Sequence, residues 1–156
     1  MQIEKVISGG QTGADQGALD AAIALRVDHG GWIPKGRKTE SGPLPRKYHL
    51  KEMVSSSYPK RTEKNVLDSQ GTLILTNGRL TGGSSLTKKY AVQHGLLWLH
   101  INLQKITIHE AINIVRTWVK ENNIKVLNVS GSRESKSPGI YDSTHKIILG
   151  VLENFE

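Results

Sequence analysis

The sequence predicts an α/β fold, a three-layer sandwich in which a central, mostly parallel sheet of about five strands lies between helices. Two observations carry this expectation. Short apolar runs alternate with helix-periodic runs along the chain, the pattern of strand–helix crossovers that leave a parallel sheet. Three Gly/Ser-rich stretches, 8–15, 80–85 and 130–139, each follow an apolar run, so each loop leaves the carboxyl end of a strand. Loops at those ends share one edge of the sheet, and ligands of open α/β sheets bind there.

The bulk numbers agree with one domain over 1–156. The chain has 156 residues, 37% hydrophobic and 22% charged, which is enough for a single core. It has no cysteine, so it offers neither disulfide nor thiolate. The start, Met1-Gln2-Ile3-Glu4-Lys5, lacks a secretory apolar core, and no run reaches membrane-spanning length. These features point to a cytoplasmic protein with no membrane segment. The formal charge of +7 points to an anionic partner, and the basic residues concentrate at Lys35 to Lys51 and Lys60 to Lys64. That clustering favours a local anion site over a basic surface that merely aids solubility. Nucleic acid is a third reading, but Trp32, Trp98, Trp118, Phe155 and the tyrosines form no ladder for stacking single strands.

Ile3 to Ile7 reads as the first strand, and Ala18, Ala21, Ala22 and Leu25 mark the helix behind it. Thr12 and Asp15 have capping-box spacing at its start. Asp15 then either turns away as a cap, the favoured reading, or meets a sugar hydroxyl or an amine of a ligand. Val27 to Ile33 reads as a weak second strand broken by Gly30-Gly31. A basic excursion follows at about 34–60, too long for an ordinary connection. Within it His49 to Val54 suggests a short helix, and Arg61 to Asp68 suggests another after it. Gly71 to Thr76 is the clearest strand, apolar through its middle as a strand covered on both faces should be. The next helix carries Leu86, Tyr90 and His94 on one face and ends at Gly95, before a strand from Leu96 to Ile101. Ile108, Ala111, Ile112, Val115 and Val119 form the best helical stripe, with Thr107 as its cap. Val126, Leu127 and Val129 make the last strand. Pro138 opens a final helix bearing Tyr141, His145, Ile148, Leu149 and Leu152.

The chemistry sits in the loops. In the first, Gly9, Gly10, Gln11, Thr12, Gly13, Ala14 and Asp15 offer a tight turn and a helix N-terminus, which together suit a phosphate. The loop is neither a dinucleotide fingerprint nor a P-loop. Gly82, Gly83 and Ser84 repeat the design, with Ser84 and Ser85 also suited to capping. Gly131 and Arg133 bring a fork-shaped cation to the third loop, beside Glu134. Lys35, Arg37, Arg61 and Thr62 are further candidates for contacting an anion. No catalytic residue is assignable. The six histidines lack metal-ligand spacing, and no metal site is expected.

The order of motifs resembles that of the molybdenum carrier proteins. The resemblance rests on Ser8-Gly9-Gly10-Gln11-Thr12-Gly13-Ala14-Asp15, His29-Gly30-Gly31-Trp32-x-Pro34-Lys35-Gly36-Arg37 and Arg61-Thr62-x-x-Asn65-Val66. It continues through Asp68-Ser69-x-Gly71-Thr72-Leu73-Ile74, Leu80-Thr81-Gly82-Gly83 and Arg133-Glu134-Ser135-x-x-Pro138-Gly139-Ile140-Tyr141. It implies a Rossmann-like fold, shared with the phosphoribohydrolases that carry a lysine-decarboxylase label and with a DNA-processing protein. It also implies a ligand such as molybdenum cofactor or a nucleotide. The phosphoribohydrolases have Gly-Gly-x-Gly-Thr-x-x-Glu. Aligned on Gly82-Gly83, this chain has Ser85 and Leu86 for Gly-Thr and Lys89 for the glutamate. A lysine cannot act as the acid, which favours binding over hydrolysis and would add a cation if Lys89 faces the loop.

The expectation is therefore a carrier that binds a phosphorylated small molecule where the loops converge, more a binding protein than an enzyme. The phosphate would sit on the N–H groups of Gly10 to Ala14 and of Gly83 and Ser84. The alternatives are an N-glycosidic hydrolase of nucleotides using Asp15 or Glu134, and a nucleic-acid-binding module. A homo-oligomer, dimer or tetramer, is also expected.

Overall fold

The computed structural model describes residues 3–153. Met1, Gln2 and residues 154–156, Phe155 included, lie outside the described residues. The strands of the central sheet are β1 (Lys5–Ile7), β2 (Asp28–Gly30), β7 (Gly71–Thr76), β8 (Leu97–Asn102) and β9 (Val126–Gly131). They lie in the order β2-β1-β9-β7-β8, and every pairing is parallel. The expected α/β architecture with a five-stranded sheet is therefore present. Helices α1 (Ala14–Ala24), α4 (Ile108–Glu121) and α5 (Ile140–Leu152) pack together on one face, while α2 (Tyr58–Leu67) packs with α3 (Gly82–Gln93) on the other. The split follows from topology. The chain leaves β1 and β7 in opposite directions along the sheet, and right-handed crossovers in opposite directions need opposite faces.

The main core lies under α1, α4 and α5 and is apolar. Val6, Leu73, Leu75, Leu127 and Val129 from the strands meet Ala18, Ala22, Val115, Ile147 and Ile148, all buried. The helix stripe expected on α4 is the buried one, and Thr107 forms the reciprocal cap with Glu110. The α3 stripe is shifted from expectation. Ser84, Thr87 and Ala91 face inward, while Leu86 and Tyr90 are half-buried and His94 ends the helix. Small and hydroxyl residues there let α3 approach the sheet and leave a polar floor under it.

Three segments differ from the sequence reading. The expected second strand is divided: Asp28–Gly30 joins the central sheet, and Trp32–Ile33 (β3) leaves it. Gly31 makes the break at φ +124, where an added Cβ would lie 2.1 Å from the Ser8 carbonyl oxygen. The helix expected at His49 to Val54 is instead β6 (Lys51–Glu52), parallel to β3. Tyr48 and Leu50 are both buried, a spacing of two that suits an extended chain. They join Leu19, Ile33 and Leu44 in a small satellite core, which fastens the excursion to α1. Pro138 does not open α5; the helix begins after Gly139, which turns the chain at φ +93. Helix α2 starts earlier than expected, because Ser57 caps it by accepting from the Lys60 amide at 3.2 Å and Pro59 suits its first turn.

Between β3 and β6 the excursion folds a hairpin, β4 (Lys38–Thr39) and β5 (Gly42–Pro43), whose tip is Glu40-Ser41. Among the described residues no helix is long and apolar enough to cross a membrane.

Candidate functional site

The three Gly/Ser-rich loops leave β1, β7 and β9 and converge on one cleft of about 550 Å³. Gln11 and Asp15 reach it from the first loop, Gly82, Gly83 and Ser84 from the second, and Gly131, Arg133 and Lys136 from the third. Helix α2 closes the side with Tyr58, Arg61 and Thr62. Sequence periodicity placed these loops on one edge, and the β2-β1-β9-β7-β8 order makes them neighbours.

The first loop is not an open cradle. Its Gln11 amide donates to Asp15 Oδ2 at 3.1 Å, and the Thr12 amide donates to Gln11 Oε1 at 3.1 Å. The Ala14 amide donates to the Ser132 carbonyl at 3.1 Å. Those three N–H groups are taken, two within the loop and one by the third loop, while the amides of Gly10 and Gly13 have no partner among the described residues. Gly10 faces Leu50, Ile33 and Leu44, away from the cleft, and Gly13 lies against Ser132 and Glu134. The capping box expected between Thr12 and Asp15 is absent, since α1 begins at Ala14 and Gly13 is its cap. Asp15 has turned inward instead.

The second loop is open. At the start of α3 the Ser84 and Ser85 amides donate to the Thr81 carbonyl, at 3.0 and 3.4 Å. The amides of Gly82 and Gly83 have no partner among the described residues. An added Cβ on Gly83 would meet nothing within 4 Å, so the backbone is open to a ligand from that side. Ser84 completes the cap with its hydroxyl, donating to Thr81 O at 2.7 Å and accepting from Thr81 N at 3.0 Å. Lys136 reaches in from the third loop, its Nζ 3.4 Å from the Cβ position of Gly82.

Two charges lie deep in the cleft. Asp15 is 7% exposed and Arg61 8%. Burial pushes the Asp15 carboxyl up to about 6, although the Arg61 charge and the Gln11 amide pull it down. Burial likewise disfavours the Arg61 cation, and the Asp15 charge opposes that effect. Arg61 is fixed by donating Nη1 to the Gly9 carbonyl and by lying over the Tyr58 ring, 5.4 Å from its centroid.

The hairpin tip ties the first and third loops together. Glu40 accepts from Ser135 Oγ at 2.5 Å and from the Thr12 hydroxyl, and its Oε1 lies 3.7 Å from Arg133 Nη1. Its amide donates to Gln11 Oε1 at 2.9 Å. Burial would raise the Glu40 carboxyl, but the hydrogen bonds from Ser135 and Thr12 outweigh it and hold Glu40 below the ordinary range.

Several candidates lie elsewhere. Lys35 is exposed and does not line the cleft. Arg37 staples the excursion by donating to the carbonyls of Leu44, Pro45 and Tyr48 at 3.2, 2.9 and 2.9 Å. Glu134 caps α5 by accepting from the amides of Gly139 at 2.7 Å and Tyr141 at 3.0 Å, and it does not line the cleft. Lys89 is exposed and outside the cleft; the extra cation there is Lys136. Sequence reading also missed Thr87, Asn128 and Ser130, which line a polar recess behind Asp15. The signal was present, because Asn128 and Ser130 alternate with Leu127 and Val129 on a strand covered on both faces.

The family model for the circularly permutated YpsA SLOG family matches residues 6–152. The chain belongs to that family. Its fold is similar to a crystal structure from Syntrophus aciditrophicus SB described as a "Putative molybdenum carrier protein", with a TM-score of 0.95. The two are 50% identical over 97% of this chain and 96% of that one. No curated protein matches the chain. The chain thus resembles a protein that bears the molybdenum carrier name, as expected from the sequence, on the Rossmann-like fold of the family.

Proposed function

We propose that the protein binds a phosphorylated small molecule in the cleft, as a carrier and not as a catalyst. The observation that carries this reading is the convergence of Arg61, Arg133 and Lys136 on the open amides of Gly82 and Gly83. Unpaired amides and the positive end of the α3 dipole attract an anion, and arginine adds a fork that matches phosphate oxygens. The anion thus sits on the second loop, with the first loop as a rigid wall. The name of the Syntrophus protein supports molybdenum cofactor as the ligand, and a nucleotide suits the same chemistry. Molybdenum cofactor fits in one respect that the side chains decide: its phosphate finds the cations. The chain has no cysteine, so such a cofactor would be held through its phosphate and ring and not through a thiolate.

Calorimetric titration with molybdenum cofactor, nucleoside monophosphates and inorganic phosphate tests the reading. Saturable binding that weakens by roughly tenfold or more in Arg133→Ala is expected, the scale of a charge-assisted hydrogen bond. Failure of every phosphorylated probe to bind would sink it. A second reading, hydrolysis of a nucleotide N-glycosidic bond, has one carboxylate left in the cleft, Asp15, now that Glu134 is committed to α5. Release of free base from nucleoside monophosphates, lost in Asp15→Asn, would favour that reading over the carrier.

A further inference from the structure

Behind the cleft lies a recess of about 30 Å³, lined among others by Asp15, Arg61, Asn65, Thr87, Asn128 and Ser130. It has room for one or two water-sized groups. Asp15, Arg61, Thr62, Thr87 and Ser130 line both spaces, so the recess opens from the cleft. Its walls are polar and mostly buried, with Asn65 3% exposed and Thr87 and Asn128 each 2%, while Thr62 and Ser130 are half-buried.

Most of these walls are already satisfied. Asn65 brackets the Trp32 backbone, accepting from its amide at 2.8 Å and donating to its carbonyl at 3.1 Å. Thr87 donates to the Gly83 carbonyl at 2.9 Å, and Asn128 Nδ2 donates to Thr72 Oγ1 at 3.2 Å. The Ser8 hydroxyl, close to Asp15, is committed to the Val129 carbonyl at 2.8 Å.

Asp15 and Arg61 are different. Among the described residues the Asp15 carboxylate accepts from the Gln11 amide at 3.1 Å and has the Ser8 hydroxyl beside it, but no ion pair joins it to Arg61. Arg61 has five donors, and one is spent on Gly9. A buried carboxylate and a buried guanidinium thus face one small space without touching. Buried charges are costly unless hydrogen-bonded, so the space calls for a group that serves both.

We propose that the recess is a hydroxyl subsite: one neutral hydroxyl donates to Asp15 and accepts from Arg61, while the anionic end of the same molecule lies in the cleft above. This rests on the anion-binding reading of the cleft. Without ligand, a water molecule takes the hydroxyl's place. A second anion in the recess would be repelled by Asp15, and an ammonium by Arg61. A methyl group would leave both charges unpaired, and a ring is too large. The ligand class is therefore a phosphate ester with a free hydroxyl a short chain away from the phosphate.

Calorimetry with glycerol 1-phosphate, propyl phosphate and inorganic phosphate tests the subsite. Glycerol 1-phosphate should bind roughly ten- to a hundredfold more tightly than propyl phosphate, the range for a hydrogen bond to a charged group. In Asp15→Ala that ratio should fall to about one, and in the gentler Asp15→Asn it should shrink. Equal affinity of the two esters in the wild type, with inorganic phosphate still binding, overturns the subsite and leaves the anion reading intact. Should no phosphate probe bind, the anion reading fails, and a ligand-free crystal structure then decides the subsite by itself. An ordered oxygen within hydrogen-bonding distance of both Asp15 and Arg61 supports it. An empty recess, or direct contact between the two side chains, overturns it.

Discussion

Asp15 is the residue whose environment most changes its behaviour. Its carboxyl has an ordinary value of 3.8 and is pushed up to about 6 in the fold. Between those values the native state holds a proton that the unfolded chain has lost. The native state therefore binds more protons in this window, and Asp15 lowers stability as pH rises through it. The shift corresponds to about 3 kcal/mol, complete once both states are ionised. Asparagine keeps the acceptor for the Gln11 amide without the charge. Asp15→Asn should thus gain about 2–3 kcal/mol relative to wild type between about pH 4 and about pH 8, measured by urea unfolding. A pH-independent difference would contradict the burial argument. The same charge acts on an anion in the cleft. Sulfate keeps its charge over this range, so its binding should tighten as pH falls through about 6 in the wild type and stay flat in Asp15→Asn. Gly31 makes a different demand, since its φ of +124 and the Ser8 carbonyl leave no room for a side chain. Gly31→Ala should cost about 3 kcal/mol or more, seen as a lowered urea midpoint.

At the scale of elements, the hairpin β4–β5 and the cap of α4 make a useful pair. Glu40 at the hairpin tip holds Thr12, Ser135 and Arg133, so Glu40→Ala should loosen the first and third loops where they line the cleft. We expect phosphate affinity to fall roughly three- to tenfold, with global stability changed by under about 1 kcal/mol, as befits a partly exposed ion pair. Thr107→Ala removes the α4 cap, remote from the cleft. It should cost about 1 kcal/mol of stability and leave phosphate affinity unchanged. A reversal of that pattern, measured by calorimetry and urea unfolding together, would reject the assignment of the hairpin to the site. These elements also show what could be read from the residues. The apolar runs at Gly71 to Thr76 and Ile108 to Val119 announced β7 and α4, because one face or both must be buried for such patterns to make sense. Strand direction put the three loops on one edge of the sheet, but their convergence depends on β1, β9 and β7 being neighbours, an order that no residue pattern shows. The hairpin was hidden, since β3 to β6 are each two residues long and too short for any period to show. Which amides remain open was hidden too. Gly9 to Gly13 and Gly82-Gly83 look alike as sequence, but in the first the side chains of Asp15 and Gln11 take the amides of Gln11 and Thr12.

The whole molecule is a sheet with two unequal cores, and the smaller one supports the loop and hairpin that brace the cleft. The main core is built from four of the five sheet strands with α1, α4 and α5. The satellite core has Leu19, Ile33, Leu44, Tyr48 and Leu50, and Leu19 is its link to α1. The Glu40 tip, which braces the first and third loops, is carried on a hairpin that this small cluster anchors. Gly10 packs against the same Leu50, Ile33 and Leu44, so the first loop leans on it as well. Leu44 is 2% exposed, and its truncation should leave a cavity. Large-to-small changes of this kind cost about 2–5 kcal/mol, but here the loss should be confined to local opening of the excursion. Leu44→Ala should therefore speed amide hydrogen exchange over residues 32–53, while β7 and β9 stay protected. Phosphate affinity should drop with it, because Glu40 and the first loop lose their common support. Uniform acceleration across the central sheet would show that the two cores unfold as one. Faster exchange in the excursion with unchanged phosphate affinity would show that the cleft stands without it.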